Sequence, residues 1–107
     1  MIRHVVVFNF KPDIEVSDQE WILEKIQGLG KVASVQNMEI GRLLEPMQDW
    51  YKPRMSADFR WVLTMLFKNE EALYAYQTDP YHASVAQEIR KRVSVIRVMD
   101  FVTIEPT

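Results

Sequence analysis

The run Ile2-Arg3-His4-Val5-Val6-Val7-Phe8-Asn9-Phe10 limits the fold more than any other stretch of this chain. Its Val and Phe content favours an extended backbone. Alternation puts His4, Val6, Phe8 and Phe10 on one face and Val5, Val7 and Asn9 on the other. Both faces are largely apolar, so the strand belongs in the middle of a sheet that is covered on both sides. The chain of 107 residues is read as a single domain, 1–107, with a real but modest core. It has no cysteine, which excludes disulfides, thiolate catalysis and cysteine-ligated zinc. A net charge of −2 with no basic block argues against nucleic acid or an anionic membrane as partner. No run has the length to span a bilayer, and the start lacks the pattern of a signal peptide. The expectation is a cytoplasmic protein.

The remaining elements follow from periodicity and punctuation. Ser17 and Glu20 match a capping box, and Val16 with Trp21 a hydrophobic staple. They predict a helix from about Asp18 to Leu29, with Ile22, Ile26 and Leu29 inward and Gly30 in the left-handed closing position. Val35 to Leu43 reads as a weaker strand in which Gly41 marks a bulge. Arg42 to Asp58 reads as a long loop. Leu44, Met47, Trp50 and Met55 suit it poorly to solvent, so a flap or a segment packed on a partner is expected. Phe59 to Phe67 is a strong strand. Asn69 caps a short helix from Glu70 to Thr78, with acidic residues in its first turn. Ser94 to Ile104 is the last strand, with Asp100 as the polar exception on an apolar face.

At the end of that short helix, Tyr76-Gln77-Thr78-Asp79-Pro80-Tyr81-His82 ends one helix and starts another. Asp79 can cap the new helix, and Pro80 suits its first turn. His82, Val85, Ala86 and Ile89 then share a buried face, fading near Arg92. A histidine heads an apolar stripe, and a tyrosine sits across the break. Any functional site is expected here. The order β-α-β-β-α-β, with the second helix broken, is α+β and ferredoxin-like: a four-stranded antiparallel sheet with helices on one face. The opposite sheet face is also apolar, which predicts a homodimer pairing sheet to sheet.

Three segments together resemble the stress-responsive dimeric α/β-barrel (Dabb) family. They are Met1-Ile2-Arg3-His4-Val5-Val6-Val7-Phe8, the junction Glu71 to His82 with its Y…P-x-H pattern, and Met99-Asp100-Phe101. The resemblance covers nearly the whole chain. It implies a dimeric α/β barrel whose functions are mixed, with many members lacking an assigned reaction. One polyketide-cyclase branch performs an intramolecular aldol condensation without metal or organic cofactor. On that pattern His82 would be the base and Tyr76 the proton donor. His4 would line the same pocket, and Asp100 would help hold the catalytic histidine. The departure is Tyr81, where the family commonly has a small residue; its ring is expected to narrow or reshape the pocket.

The chemistry is coherent. Histidine titrates near neutrality, and a buried phenol can stabilise an oxyanion. The plainer readings stand beside it: His82 as a structural histidine bonded to a neighbour such as Asp100, Tyr76 as a core ring, His4 as a strand-end surface residue. A metal site has no supporting ligand spacing, and Gly28, Gly30 and Gly41 make no phosphate cradle. No cofactor is expected. The leading functional expectation is binding of a small apolar or aromatic molecule between sheet and helices. The alternatives are a cofactor-independent cyclase or lyase using His82 and Tyr76, or a cofactor-independent aromatic monooxygenase. Trp50 and Trp61 would then stack on the substrate.

Overall fold

A computed structural model describes residues 1–56 and 58–105. Strand β1 (Ile2–Phe10) pairs antiparallel with β3 (Trp61–Phe67) on one side and β4 (Val93–Val102) on the other. Strand β2 (Asn37–Arg42) adds to β3, giving a four-stranded sheet in the order β2-β3-β1-β4. Helices α1 (Val16–Gln27), α2 (Glu70–Gln77) and α3 (Pro80–Arg90) supply the rest of the fold. The ferredoxin-like plan expected from the pattern is therefore the plan observed, with the second helix divided at Asp79.

The core lies on one sheet face. Ile2, Val6 and Phe8 from β1 and Leu63, Met65 and Phe67 from β3 bury against Ile22 and Ile26 of α1, Leu29, Leu73 and Tyr76 of α2, and Val85 of α3. Period-2 alternation sends Val5, Val7, Val62 and Leu66 to the other face, where they are only half-buried. Edge strand β4 carries Val98, Met99, Phe101 and Val102, all more than half exposed. The molecule is a slab of 42 × 40 × 17 Å with a radius of gyration of 15.1 Å. A compact chain of this length has about 13 Å. Leu44, Met47 and Trp50, in the loop between β2 and β3, are exposed. The Asn9 side chain holds the far end of that loop, donating to the Asp58 carbonyl and accepting from the Arg60 amide, each at 2.6 Å.

Several local expectations give way to tertiary contacts. Helix α1 starts at Val16 with Glu15 at its cap position and no side-chain capping bond, so Ser17 lies inside the first turn and the capping box does not form. Trp21 is covered by the Arg92 guanidinium, 4.7 Å from the ring centre, and Val16 stays exposed. Arg92 also binds Asp18 at 2.8 Å and Glu88 at 2.9 Å, tying the start of α1 to the end of α3. No described residue has a positive φ, so Gly30 does not close the helix in a left-handed turn. The chain tightens instead into a 3-10 turn over Gly28–Lys31. Strand β2 is shorter than expected because Val35 turns back to bond Val32, and its register with β3 runs through Gly41 without a bulge. Strand β3 begins at Trp61, after Arg60 has given its amide to Asn9.

Gly28 has a steric reason for lacking a side chain. A Cβ there would meet the Tyr81 hydroxyl at 2.2 Å, because that hydroxyl donates to the Lys25 carbonyl at 2.8 Å. The contact joins the end of α1 to the start of α3. Gly28→Ala should therefore cost at least about 1 kcal/mol more in the wild-type background than in Tyr81→Ala, the worth of a displaced hydrogen bond. A urea-denaturation double-mutant cycle measures the difference, and additive effects would remove Tyr81 as the reason for the glycine.

Candidate functional site

Two features of local sequence place the site. The first is strand register: His4 of β1 lies directly opposite Asp100 of β4 and Met65 of β3. Opposed residues on neighbouring strands share a face, so His4 and Asp100 both project toward the helical side. The His4 imidazole Nδ1 donates to Asp100 Oδ1 at 2.5 Å. His4 is almost wholly buried, whereas Asp100 keeps one side open to solvent.

The second is the helix break. Asn69 caps α2 by accepting from the Ala72 amide at 2.9 Å, and Thr78 closes it with its hydroxyl on the Tyr74 carbonyl. Asp79 then caps α3, accepting from the amides of Tyr81 at 2.8 Å and His82 at 3.4 Å. The chain turns sharply at Asp79-Pro80, so the last inward residue of α2 and the first of α3 meet. Their rings, Tyr76 and His82, have centres 4.4 Å apart. Tyr76 also packs on Phe67 at 5.3 Å and on His4 at 6.0 Å. Four residues expected from the sequence, His4, Tyr76, His82 and Asp100, are thus gathered in one cluster with Phe67 as its floor.

The polar groups of the cluster are unequally satisfied. His82 Nδ1 donates to the Gln77 carbonyl at 3.2 Å, which leaves the Nε2 lone pair without a partner among the described residues. Burial pushes the His82 pKa below its ordinary value; the Gln77 carbonyl opposes this, and nearby His4 adds to it. Tyr76 is 2% exposed, and its hydroxyl has no protein partner among the described residues. Burial drives its pKa far above the ordinary phenol value, so it is a proton donor at all physiological pH.

Asp100 holds His4, and no direct bond joins it to His82, contrary to the expectation that it would hold the catalytic histidine. Tyr81 is turned onto α1 and lines a separate groove with Gly28, Lys31 and Val32, so its ring is engaged at the helix end. Trp61 stacks on Phe8 and takes the Arg42 guanidinium on its face. It lies four residues along β3 from the partner of His4, about 13 Å away at strand rise. Trp50 is 67% exposed in the β2–β3 loop and packs on Tyr51. Neither tryptophan joins the cluster. Sequence reasoning missed Phe67, whose signal was its place at the end of an alternating strand, and Gln77, whose role is played by a backbone carbonyl that no side-chain pattern reveals.

A groove of about 300 Å³ runs between α2 and β4, lined by Ile2, Leu73, Tyr74, Gln77, Asp100 and Val102 among others. Asp100, bonded to His4, and Gln77, whose carbonyl holds His82, form part of its wall, while the rings of Tyr76 and His82 do not line it. Among the described residues no group of three or more histidines and carboxylates could hold a metal ion. No helix is long and apolar enough to cross a membrane.

Similarity to known proteins extends over almost the whole chain. A hydroxynitrile lyase from Passiflora edulis is 18% identical, superposes with a TM-score of 0.83, and covers 99% of this chain and 95% of its own. A Dabb family protein with a ferredoxin-like fold from Mesorhizobium loti is 23% identical over 97% of both chains, with a TM-score of 0.77. A dimeric ferredoxin-like protein of unknown function from Thermobifida fusca is 16% identical, covering 95% of this chain and 90% of its own, with a TM-score of 0.77. At these identities the likeness establishes the fold alone. No curated protein matches the chain. The model of the stress responsive A/B barrel domain matches residues 2–103, and the chain belongs to that family.

Proposed function

We propose that this domain binds a small, mainly apolar or aromatic molecule bearing an oxygen, in the groove between α2 and β4, and does so as a homodimer. The observation that carries the reading is the meeting of Tyr76 and His82, ring centres 4.4 Å apart, with the protonated Tyr76 hydroxyl and the His82 Nε2 lone pair both without a protein partner among the described residues. A ligand hydroxyl between them would accept from the phenol and donate to Nε2. The groove, at about 300 Å³, meets the lower size of ligand sites, and Ile2, Leu73 and Val102 give it apolar walls. The half-exposed apolar face of the sheet supports the dimer, as does the dimeric description of the Thermobifida fusca protein.

A second reading draws on the same geometry. Neutral His82, held by Nδ1, presents Nε2 as a base, and Tyr76 offers a proton to a developing oxyanion. That pair can remove a proton beside a carbonyl and stabilise the enolate, the chemistry of a cofactor-independent cyclase or lyase. The oxygenase alternative rested on Trp50 and Trp61 as stacking residues, and their distance from the cluster leaves it unsupported.

Binding is tested with a panel of small phenols and aromatic ketones followed by amide NMR shifts. Shifts should concentrate at Gln77 and Asp100, and Val102→Trp, which fills the groove from an exposed position, should weaken binding at least tenfold. Shifts confined to the β2–β3 loop would move the site elsewhere. His82→Ala should weaken binding several-fold by removing the acceptor for the ligand hydroxyl; if wild type converts the ligand and His82→Ala binds it without turnover, the acid–base reading is established.

The pH dependence of stability has a definite sign. Burial lowers the folded pKa of His82 below 6.5, so between the two values the unfolded chain binds more protons. Stability contributed by His82 is complete above 6.5, falls as pH drops through that value, and levels off below the folded pKa. His82→Gln should flatten this part of the denaturation profile. An unchanged slope would show that His82 titrates normally.

A further inference from the structure

We infer that the β2–β3 loop and the adjoining end of the sheet form a second binding site, one for a small carboxylate with an apolar body. Arg42 and Arg60 hold the carboxylate, and the loop encloses the apolar part. The site is separate from the Tyr76–His82 cluster and does not depend on the reading given for it above.

Two adjoining cavities make up the site. One, of about 380 Å³, lies within the loop, where Leu43, Pro46, Met55 and Phe59 give it apolar walls. The other, of about 460 Å³, lies between α1 and the end of the sheet, against Gln19, Arg42 and Trp61. Leu43, Glu45 and Arg60 line both and form their common boundary. Each cavity exceeds the lower size of ligand sites, about 300 Å³. Several contacts hold the loop off the space it surrounds. Asn9 anchors its far end at Asp58 and Arg60, each at 2.6 Å. Nearer its middle, Lys52–Arg54 form a 3-10 turn, and the Arg54 guanidinium donates to the Trp50 carbonyl at 2.9 Å. Leu43, Pro46, Met55 and Phe59 are left only half-buried around the cavity. Apolar side chains normally pack to the density of a crystal, so space kept open among them favours a hydrocarbon guest.

Charge selects the head group. The two linings bring together three cations, Arg42, Lys52 and Arg60, and one carboxylate, Glu45. Arg42 lies over the Trp61 ring, 5.3 Å from its centre, and has no carboxylate partner among the described residues. Stacking holds the guanidinium plane while its N–H groups stay available to an acceptor. Trp61, which has no place in the Tyr76–His82 cluster, here positions Arg42. Arg60 Nη1 already donates to a carboxylate, Glu45 Oε1, at 2.7 Å. The two side chains are 67% and 81% exposed, so their pairing contributes little. A guest carboxylate meeting Arg42 and Arg60 together gains two charged donors where Glu45 has one, and it can take the place of Glu45. Lys52 is paired with Asp49 at 3.3 Å and is not needed for this exchange. The single negative charge that the guest replaces, and the apolar walls beyond it, favour a carboxylate over a phosphate.

Octanoate is a suitable probe, followed by amide NMR at low ionic strength, where exposed charges are least screened. Saturable shifts should centre on Leu43, Glu45, Met55 and Arg60, with Gln77 and Asp100 unmoved. Octanol, the same chain without the charge, should bind at least about tenfold more weakly, as should octanoate to the Arg42→Gln, Arg60→Gln double variant. Glu45→Gln should tighten octanoate several-fold, because it removes the internal competitor; a variant that merely disturbed the loop would weaken it. Octanoate shifts centred on Gln77 and Asp100, or no shifts at millimolar concentrations, would overturn the site. Equal binding of octanol and octanoate, or a Glu45→Gln variant that binds no tighter than wild type, would overturn the arginine seat.

Discussion

Strand β1 is the constraint on which this structure depends. It is paired along its length on both sides, and alternation divides its residues between a helical face and an outward one. The first division builds the core from Ile2, Val6 and Phe8. It also places His4 in that row, opposite Asp100, so a strand register chosen by hydrophobic burial positions a polar pair. A slip of one residue would send His4 outward and break both the core and the pair. The outward division leaves Val5 and Val7 half-covered, and with them the case for a second subunit.

The helical side contributes through the stop at Thr78-Asp79-Pro80. A continuous helix would carry His82 past Tyr76 by more than a turn; the break brings the two rings into contact. Asp79 makes this possible by satisfying amides that α3 would otherwise leave open. The result is a buried phenol and a neutral imidazole side by side, with the Tyr76 hydroxyl and the His82 Nε2 free of protein partners among the described residues. Groups with acid–base properties shifted in this way cluster at functional sites.

Much of this was legible in the sequence, because it rests on local rules. Alternation located the strands, Asn69 and Asp79 marked two helix starts, and the spacing of Ile22, Ile26 and Leu29 gave the buried stripe of α1. The misreadings occur where a distant contact overrides a local preference. Ser17 has no capping role because α1 already begins at Val16, where Arg92 of another element binds Asp18 and covers Trp21. Gly28 is required by Tyr81 from another helix, which no local turn signal encodes, whereas Gly30 looked like the special glycine and was not. The site was legible in its four side chains; Asp100 was assigned to the wrong histidine because only strand register decides which one it meets. Trp50 and Trp61 were chosen by residue type, and tertiary position separates them from the cluster.

The central claim is that His82 stands as a neutral imidazole with its Nε2 lone pair open beside the Tyr76 hydroxyl. Nitrogen-15 NMR of the histidine rings at neutral pH reads this directly. The expected result is a His82 ring protonated at Nδ1 and bare at Nε2, whose Nε2 resonance moves when a small phenol is added. A ring protonated at Nε2, or at both nitrogens, would contradict it.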